Sequence, residues 1–225
     1  AELHVHLEGT APPDLVRRIA ERNGLEIPEG VFAAPDRFAW RDFLDFLNTY
    51  NLVCSVIRTG EDYRDIAYEY LAACAQGGAI YVELTASVDH SRIAGLGDAE
   101  HWEGIAAGID DARADHGIEA RILSVAVRNY GVERAVEIAQ LTAAHPHPYV
   151  VGFSLAGDEA GYPPEPFAEA YRTRFVEPRR EAMRAAFARA IQRGEVRADL
   201  DVEVAVDLIY GPLYHRLLHG HAPLS

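Results

Sequence analysis

The hydrophobic pattern of the chain alternates between short, nearly continuous apolar runs and longer segments with helical periodicity. The apolar runs are rich in β-branched residues and predict strands at residues 3–7, 79–85, 120–127 and 149–155. The periodic segments predict helices at residues 12–23, 40–57, 61–76, 101–115 and 132–142, with a loop at residues 27–37. Short apolar strands that alternate with helices are typical of a parallel sheet covered by helices.

This alternation predicts an α/β fold built from four strand–helix units that end near residue 172. Eight such units form a (β/α) TIM barrel, so the pattern corresponds to the first four units of a barrel. After residue 172 only helical periodicity is left, at residues 178–193 and after Asp201, a plausible N-cap. The apolar stripe of the last helix contains Val204, Leu208, Leu213 and Leu217. We therefore expect two domains, residues 1–172 and an all-α two-helix tail at 173–225.

Composition narrows the possible partners of the chain. The formal net charge of −14 over 225 residues argues against a surface that binds nucleic acid. No apolar run approaches the roughly 20 residues that are needed to cross a bilayer, so no membrane partner is expected. Cys54 and Cys74 form neither a CxxC pair nor a disulfide framework. Buried or free thiols are typical of a reducing compartment, and we expect a cytoplasmic location.

The first predicted strand carries two histidines, His4 and His6, that alternate with apolar residues. Side chains two residues apart on a strand leave from the same face, so both imidazoles point the same way. Gly9 and Thr10 end the strand at once, which places the pair near its carboxyl end. Neutral imidazoles at this spacing suit a divalent ion, zinc above all. Taken without its context, a His-x-His spacing also occurs by chance.

Three motifs in register resemble the N-terminal half of the adenosine deaminase family: His4-Val5-His6-Leu7-Glu8-Gly9-Thr10, Tyr81-Val82-Glu83-Leu84 and Leu155-Ala156-Gly157-Asp158-Glu159. The family has a TIM-barrel fold and a metal-dependent hydrolytic activity. The resemblance implies that His4 and His6 are zinc ligands, and that His6 and Glu8 face the ribose of the substrate. It also implies that Gly157 offers its backbone to the purine ring, where a side chain would block close approach.

The resemblance further implies that Trp40, Phe43 and Leu47 belong to an apolar helix that gates the substrate pocket. An aromatic stripe at helical spacing is equally typical of core packing, and the sequence leaves this alternative open. Ser154 departs from the family pattern, which commonly has Asp at this place. A hydrogen bond accepted by a carboxylate is therefore not expected there.

Several catalytic motifs of the family are missing from this sequence. The family's third histidine ligand and general-acid Glu come from a His-Ala-Gly-Glu motif, and its paired Asp residues from the eighth strand. Two ligands do not complete a catalytic zinc site, and ring protonation needs a carboxylic acid. The resemblance thus implies a zinc-dependent hydrolytic deaminase of adenosine or a related aminopurine nucleoside, incomplete and inactive as this chain alone.

The tail, residues 173–225, resembles the C-terminal end of TetR-family regulators. The matching pieces include Arg193-Gly194-Glu195-Val196-Arg197 and Gly211-Pro212-Leu213-Tyr214-His215-Arg216-Leu217-Leu218. In that family the last two helices form a dimerising bundle, so we expect a homo-oligomer. Open edges of a half barrel are a second route to self-association. Alternatives to the enzyme are therefore a dimerisation or ligand-binding segment of a TetR-type regulator, or a chimeric chain without its own activity.

Overall fold

The computed structural model describes the backbone of residues 1–219; the side chains of residues 175, 179, 210 and 212–219 lie outside the description. The chain forms two compact units, Ala1–Pro163 and Pro164–Ser225. The domain boundary that the sequence suggests after residue 172 stays a prediction.

The first unit contains a four-stranded sheet with the order β1-β4-β5-β6, in which every neighbouring pair is parallel. A separate two-stranded antiparallel hairpin is formed by β2 and β3. The strands are β1 Glu2–His6, β2 Phe32–Ala34, β3 Arg37–Phe38, β4 Tyr81–Ser87, β5 Glu119–Val127 and β6 Val150–Ala156. The parallel sheet confirms the predicted α/β fold. The four strands that the sequence predicts are β1, β4, β5 and β6, and they lie side by side in chain order, as in a TIM barrel.

Helices connect the strands of this sheet. They are α1 Pro13–Arg22, α2 Phe43–Cys54, α3 Gly60–Gln76, α4 Val88–Ile93, α5 Asp98–His116 and α6 Val132–Ala144. Local sequence explains where two of them begin. The Asp42 side chain accepts a hydrogen bond from the Asp45 N–H and caps α2. Thr59 and Asp62 form a reciprocal capping box at the start of α3.

Two local predictions for this unit are wrong, and one short helix is not predicted. Residues 27–37 are not a simple loop, because they contain β2 and the first residue of β3, and the Phe32 and Phe38 rings stack at 5.4 Å. Trp40 does not belong to a helix, because Asp42 caps α2 and the helix begins at Phe43, three residues after Trp40. Helix α4 was not expected, since six residues are too few to show a helical period.

The core lies between one face of the sheet and the helices. Leu84 and Ile122 are fully buried there, and Val5 pairs with Leu84 in the register of β1 and β4. Helices α3 and α5 pack closely because α5 carries glycines where they meet. A Cβ on Gly104 would lie 2.4 Å from the carbonyl oxygen of Gly60. The opposite face of the sheet, which carries His6 beside Thr85, holds the polar side chains of interest.

The second unit is entirely helical over the residues that the structure describes. Helix α7 continues through a π-helical turn into α8, and α9 follows after a short connection. The bounds are α7 Glu165–Tyr171, the π turn Arg172–Val176, α8 Glu177–Gln192 and α9 Val202–His219. The Asp201 Oδ1 atom accepts a hydrogen bond from the Val204 N–H at 3.1 Å, consistent with the predicted cap.

The apolar stripe expected on the last helix is not a buried face. Val204 is 51% exposed and Leu208 is 68% exposed, so hydrophobic periodicity here does not mark a core contact. Leu213 and Leu217 of the same stripe lie outside the described side chains. Among the side chains of this unit that the structure describes, only Ala170 and Val206 are buried.

Candidate active site

His4 and His6 lie on the sheet face that is not covered by the core helices. Their ring centroids are 5.7 Å apart, with an angle of 54° between the ring planes. His6 is the last residue of β1 and pairs with Thr85 of β4, so the pair lies at the carboxyl end of the sheet. His4 is exposed and His6 is partly buried. The structure therefore brings together the two histidines that the sequence singles out.

Glu8 lies two residues beyond His6, in a 3₁₀ turn at Leu7–Thr10. Its side chain has no exposed surface. The Ser87 N–H donates to the Glu8 Oε1 atom at 2.8 Å, and the Tyr50 hydroxyl donates to the Glu8 Oε2 atom at 2.8 Å. One carboxylate thus joins the end of β1 to the end of β4 and to α2. No exposed carboxylate oxygen is left for a ribose contact at this position.

The electrostatics of this cluster follow from its burial. Burial lowers the pKa of His6, while the nearby Glu8 carboxylate opposes the shift and His4 and His90 reinforce it. Burial also raises the pKa of Tyr50 well above its ordinary value, and the Glu8 charge adds to this effect. His6 is therefore neutral near pH 7, which is the form that binds a metal ion. The Tyr50 hydroxyl therefore keeps its proton and donates a hydrogen bond to the Glu8 carboxylate.

Sequence reasoning missed four residues that surround Glu8 and His6: Tyr50, Ser87, His90 and Asn51. The His90 Nε2 atom lies 3.0 Å from the Asn51 Oδ1 atom, and the His90 ring lies 5.7 Å from the ring of Tyr50. Ser87 accepts a hydrogen bond from the His90 N–H through its hydroxyl oxygen. Tyr50 and Asn51 are adjacent residues of α2, and no spacing in the sequence shows that this helix meets the end of β1.

Gly157 follows β6 directly, at the same end of the sheet as His6. Its φ of +109° is a conformation that side chains with a Cβ rarely adopt, and a Cβ there would lie 2.3 Å from the Asn129 Oδ1 atom. The same Asn129 oxygen accepts a hydrogen bond from the Asp158 N–H at 2.9 Å. The turn itself therefore requires glycine, whatever ligand approaches its backbone.

The expected gate residues do not form a core stripe. Trp40 is 50% exposed and Phe43 is 57% exposed, while Leu47 is partly buried. Core packing is therefore the wrong explanation for the two aromatic residues. Trp40 and Phe43 each lie against the Phe46 ring, at centroid distances of 5.4 Å and 6.2 Å. Phe46 in turn lies 6.2 Å from Tyr50, so an aromatic series leads from the surface of α2 to the Glu8 cluster.

The donor set fits part of a zinc site. Two imidazoles that share a strand face supply nitrogen ligands of the type that zinc prefers. Within the described part of the chain, no group of three or more His, Cys, Asp or Glu side chains is placed to hold a metal ion. The described residues thus offer two candidate nitrogen donors, whereas a zinc site needs at least three protein ligands.

Two further predictions concern the state of the cysteines and the presence of membrane-spanning helices. Cys54 and Cys74 are both free thiols, and Cys54 is buried, as the sequence suggests. None of the described helices is long and apolar enough to span a bilayer.

Comparisons with known proteins identify the family of this chain. The model of the adenosine deaminase family matches residues 1–223. The chain therefore belongs to the adenosine deaminase family. A curated adenine deaminase from Chelativorans sp. (strain BNC1) is 39% identical over 209 residues, which cover 93% of this chain and 61% of that protein.

Solved structures agree with the family. The crystal structure of an adenine deaminase from Arthrobacter aurescens matches with a TM-score of 0.68 and 27% identity, covering 76% of this chain and 53% of that one. An amidohydrolase from Burkholderia ambifaria with bound Zn matches with a TM-score of 0.67 and 28% identity, covering 76% of this chain and 48% of that one. The chain spans between 52% and 61% of the length of the curated relatives that it matches first.

The tail does not need a separate family. The adenosine deaminase match continues through α8 and α9 to residue 223. The comparisons give no support to the resemblance of residues 173–225 to TetR-family regulators, and a regulator segment is not the favoured function.

Proposed function

We propose that this chain supplies half of the active site of a hydrolytic aminopurine deaminase, with His4 and His6 as two ligands of a zinc ion. The observation that carries the proposal is the pair of imidazoles at the carboxyl end of β1, in a chain of the adenosine deaminase family. The relative and the structural neighbour named adenine deaminase favour adenine itself over a nucleoside as the substrate. The neighbour with bound Zn supports the choice of metal.

The residues of this chain have distinct tasks in the proposed site. His4 and His6 direct neutral imidazole nitrogens to the metal, since burial lowers the pKa of His6. Gly157 presents its backbone to the purine, and Trp40, Phe43 and Leu47 border the entrance. A bound zinc ion would polarise a water molecule so that it attacks the purine carbon. For Glu8 the family resemblance suggests a ribose contact, and the complete burial of its side chain argues against one.

Residues 1–225 alone lack the third histidine and the general-acid Glu of the family. We therefore expect that the purified 225-residue chain does not convert adenine or adenosine, because ring protonation has no donor. Loss of purine absorbance at the rate of an ordinary enzyme, dependent on added zinc, would contradict this expectation.

A zinc titration tests the metal pair directly. Wild-type chain is compared with a double variant, His4→Ala with His6→Ala, and with His116→Ala as a matched control at an exposed histidine of α5. We expect weak binding by the wild type and the control, and loss of binding in the double variant. Equal binding by all three proteins would refute the assignment of these ligands.

The proposal also includes self-association and a cytoplasmic location. In the described sheet, β1 and β6 are edge strands, with a neighbouring strand on one side only. Proteins seldom leave such edges open, which supports pairing with further chain. Light scattering of the purified chain tests this, and a monodisperse monomer would count against a homo-oligomer. Two free thiols support a reducing compartment.

A further inference from the structure

We propose that Glu8 is a positioning residue for the His4–His6 pair, held in place by Tyr50 and Ser87, and does not contact the substrate. This inference rests on the proposed metal role of the two histidines. It assigns to Tyr50 and Ser87 a task that the sequence motifs do not indicate. It also replaces the ribose contact that the family resemblance suggests for Glu8.

The position of the Glu8 carboxylate supports this role. Glu8 is completely buried, yet no cationic side chain is seen bonded to it among the described residues. Its two oxygens accept from two neutral donors, the Ser87 N–H and the Tyr50 hydroxyl, each at 2.8 Å. A buried carboxylate is costly unless it is hydrogen-bonded, so these donors determine where it stays. Because the side chain has no exposed surface, a substrate hydroxyl could reach it only if the surrounding side chains moved.

The elements that the Glu8 carboxylate joins also support this role. Glu8 belongs to the turn that follows β1, Ser87 is the last residue of β4, and Tyr50 is on α2. The backbone that leaves His6 enters this turn at once, so the position of the turn sets the direction in which the His6 side chain leaves the strand. The Thr10 hydroxyl also donates to the Leu7 carbonyl oxygen at 2.7 Å and closes the turn from within.

Tyr50 also lies in close contact with the turn that carries Glu8. A Cβ on Gly9 would lie 2.9 Å from the Tyr50 Cε2 atom, so the ring packs directly against the backbone of the turn. Tyr50 therefore fixes the turn by its ring as well as by its hydroxyl. Groups behind metal ligands that fix their orientation typically change metal affinity by about 10–100-fold when they are removed.

The experiment measures zinc affinity of the full chain by competition with a chromogenic chelator. We expect Glu8→Ala to weaken zinc binding by about 10–100-fold, and Tyr50→Phe by about 10-fold. Glu8→Gln should recover most of the affinity, because an amide oxygen still accepts from the Ser87 N–H. The matched control is Tyr81→Phe, which removes a Tyr–Glu hydrogen bond of 3.2 Å at the opposite end of β4 and should leave zinc affinity unchanged.

A purely structural role predicts a different result. The variants would then unfold at lower temperature while the folded protein keeps its zinc affinity, and this outcome overturns the proposal. Loss of adenosine binding in Glu8→Ala with unchanged zinc affinity would restore the ribose contact and also overturns it. Zinc binding that survives the double His4→Ala, His6→Ala change refutes the proposed metal pair itself, and the positioning role with it. Because Tyr50→Phe removes one oxygen only, it keeps the test decisive if Glu8→Ala fails to fold.

Discussion

Buried apolar side chains are concentrated in the first unit, Ala1–Pro163, whereas the described side chains of the second unit, Pro164–Ser225, include several exposed charged pairs and few buried apolar groups. Leu84 and Ile122 in the sheet have no exposed surface. In the second unit Arg180 and Arg184 both bond to Glu203, which is about half exposed. Burial of apolar surface contributes far more to stability than exposed ion pairs do. The comparison indicates that the stability of the chain resides in the half barrel.

The largest expected effect compares two leucines, one in each unit. Leu84→Ala should lower the free energy of unfolding by about 2–5 kcal/mol, because it leaves a cavity in a fully buried position. Leu208→Ala should change it by less than about 0.5 kcal/mol, since this side chain is 68% exposed. Urea unfolding of both variants gives the two values. Equal losses would show that stability is shared between the units.

A buried histidine in the first unit should make stability depend on pH. His101 is fully buried between the rings of Tyr63 and Trp102, each 4.4 Å from it, and neither of its nitrogens has a hydrogen-bond partner among the described residues. Burial lowers the pKa of His101 to about 3, against an attraction from Asp98. The folded chain therefore stays neutral at this position where the unfolded chain takes up a proton.

The free energy of unfolding should therefore decrease as the pH falls. The contribution of His101 is complete above pH 6.5 and is lost as the pH falls towards 3, at up to about 1.4 kcal/mol per pH unit. His101→Phe keeps a ring of similar shape and should remove this part of the acid sensitivity. His116→Phe, at an exposed position of the same helix, should keep the wild-type profile. Urea unfolding between pH 7 and pH 4 measures how the free energy of unfolding depends on pH. The same dependence in all three proteins would disprove the role of His101.

The smallest expected effect lies in the second unit. The hydrogen bonds from Arg180 and Arg184 hold the pKa of Glu203 down to about 2, yet the pair is exposed to solvent. Glu203→Ala should therefore lower the unfolding free energy less than the changes in the first unit do, and the loss should shrink in high salt. Thermal unfolding at two salt concentrations is sufficient. A larger, salt-independent loss would mean that these ion pairs matter more than their exposure suggests.

The sheet could be predicted because its strands are continuous apolar runs. Tyr81–Ser87 and Glu119–Val127 lie within two residues of the expected bounds. The β2–β3 hairpin could not, because strands of three and two residues have no pattern and depend on the Phe32–Phe38 stack. The exposure of Val204 was missed for the opposite reason, since a helical period marks an apolar stripe without showing whether anything covers it.

In the candidate site, the shared face of His4 and His6 follows from the period of a strand. The partners of Glu8 do not follow from any local rule, because Tyr50 is 42 residues away and Ser87 is 79 residues away. A motif shows which residue types stand together along the chain, whereas the donors that hold a buried carboxylate are chosen by tertiary packing. The sequence therefore finds the ligand pair and misses what surrounds it.

The pairing of β1 with β4 has a consequence for how the protein is made. Glu2 pairs with Val82 and His6 with Thr85, so β1 has no neighbour in the described sheet until about 80 further residues have been synthesised. Contacts so distant in sequence form slowly, because a long loop has to close first. During synthesis the histidine pair is consequently displayed on an unpaired strand, and its final geometry is set only after the third helix has emerged. Formation of the β1–β4 pair thus has to wait for the synthesis of α3 and β4.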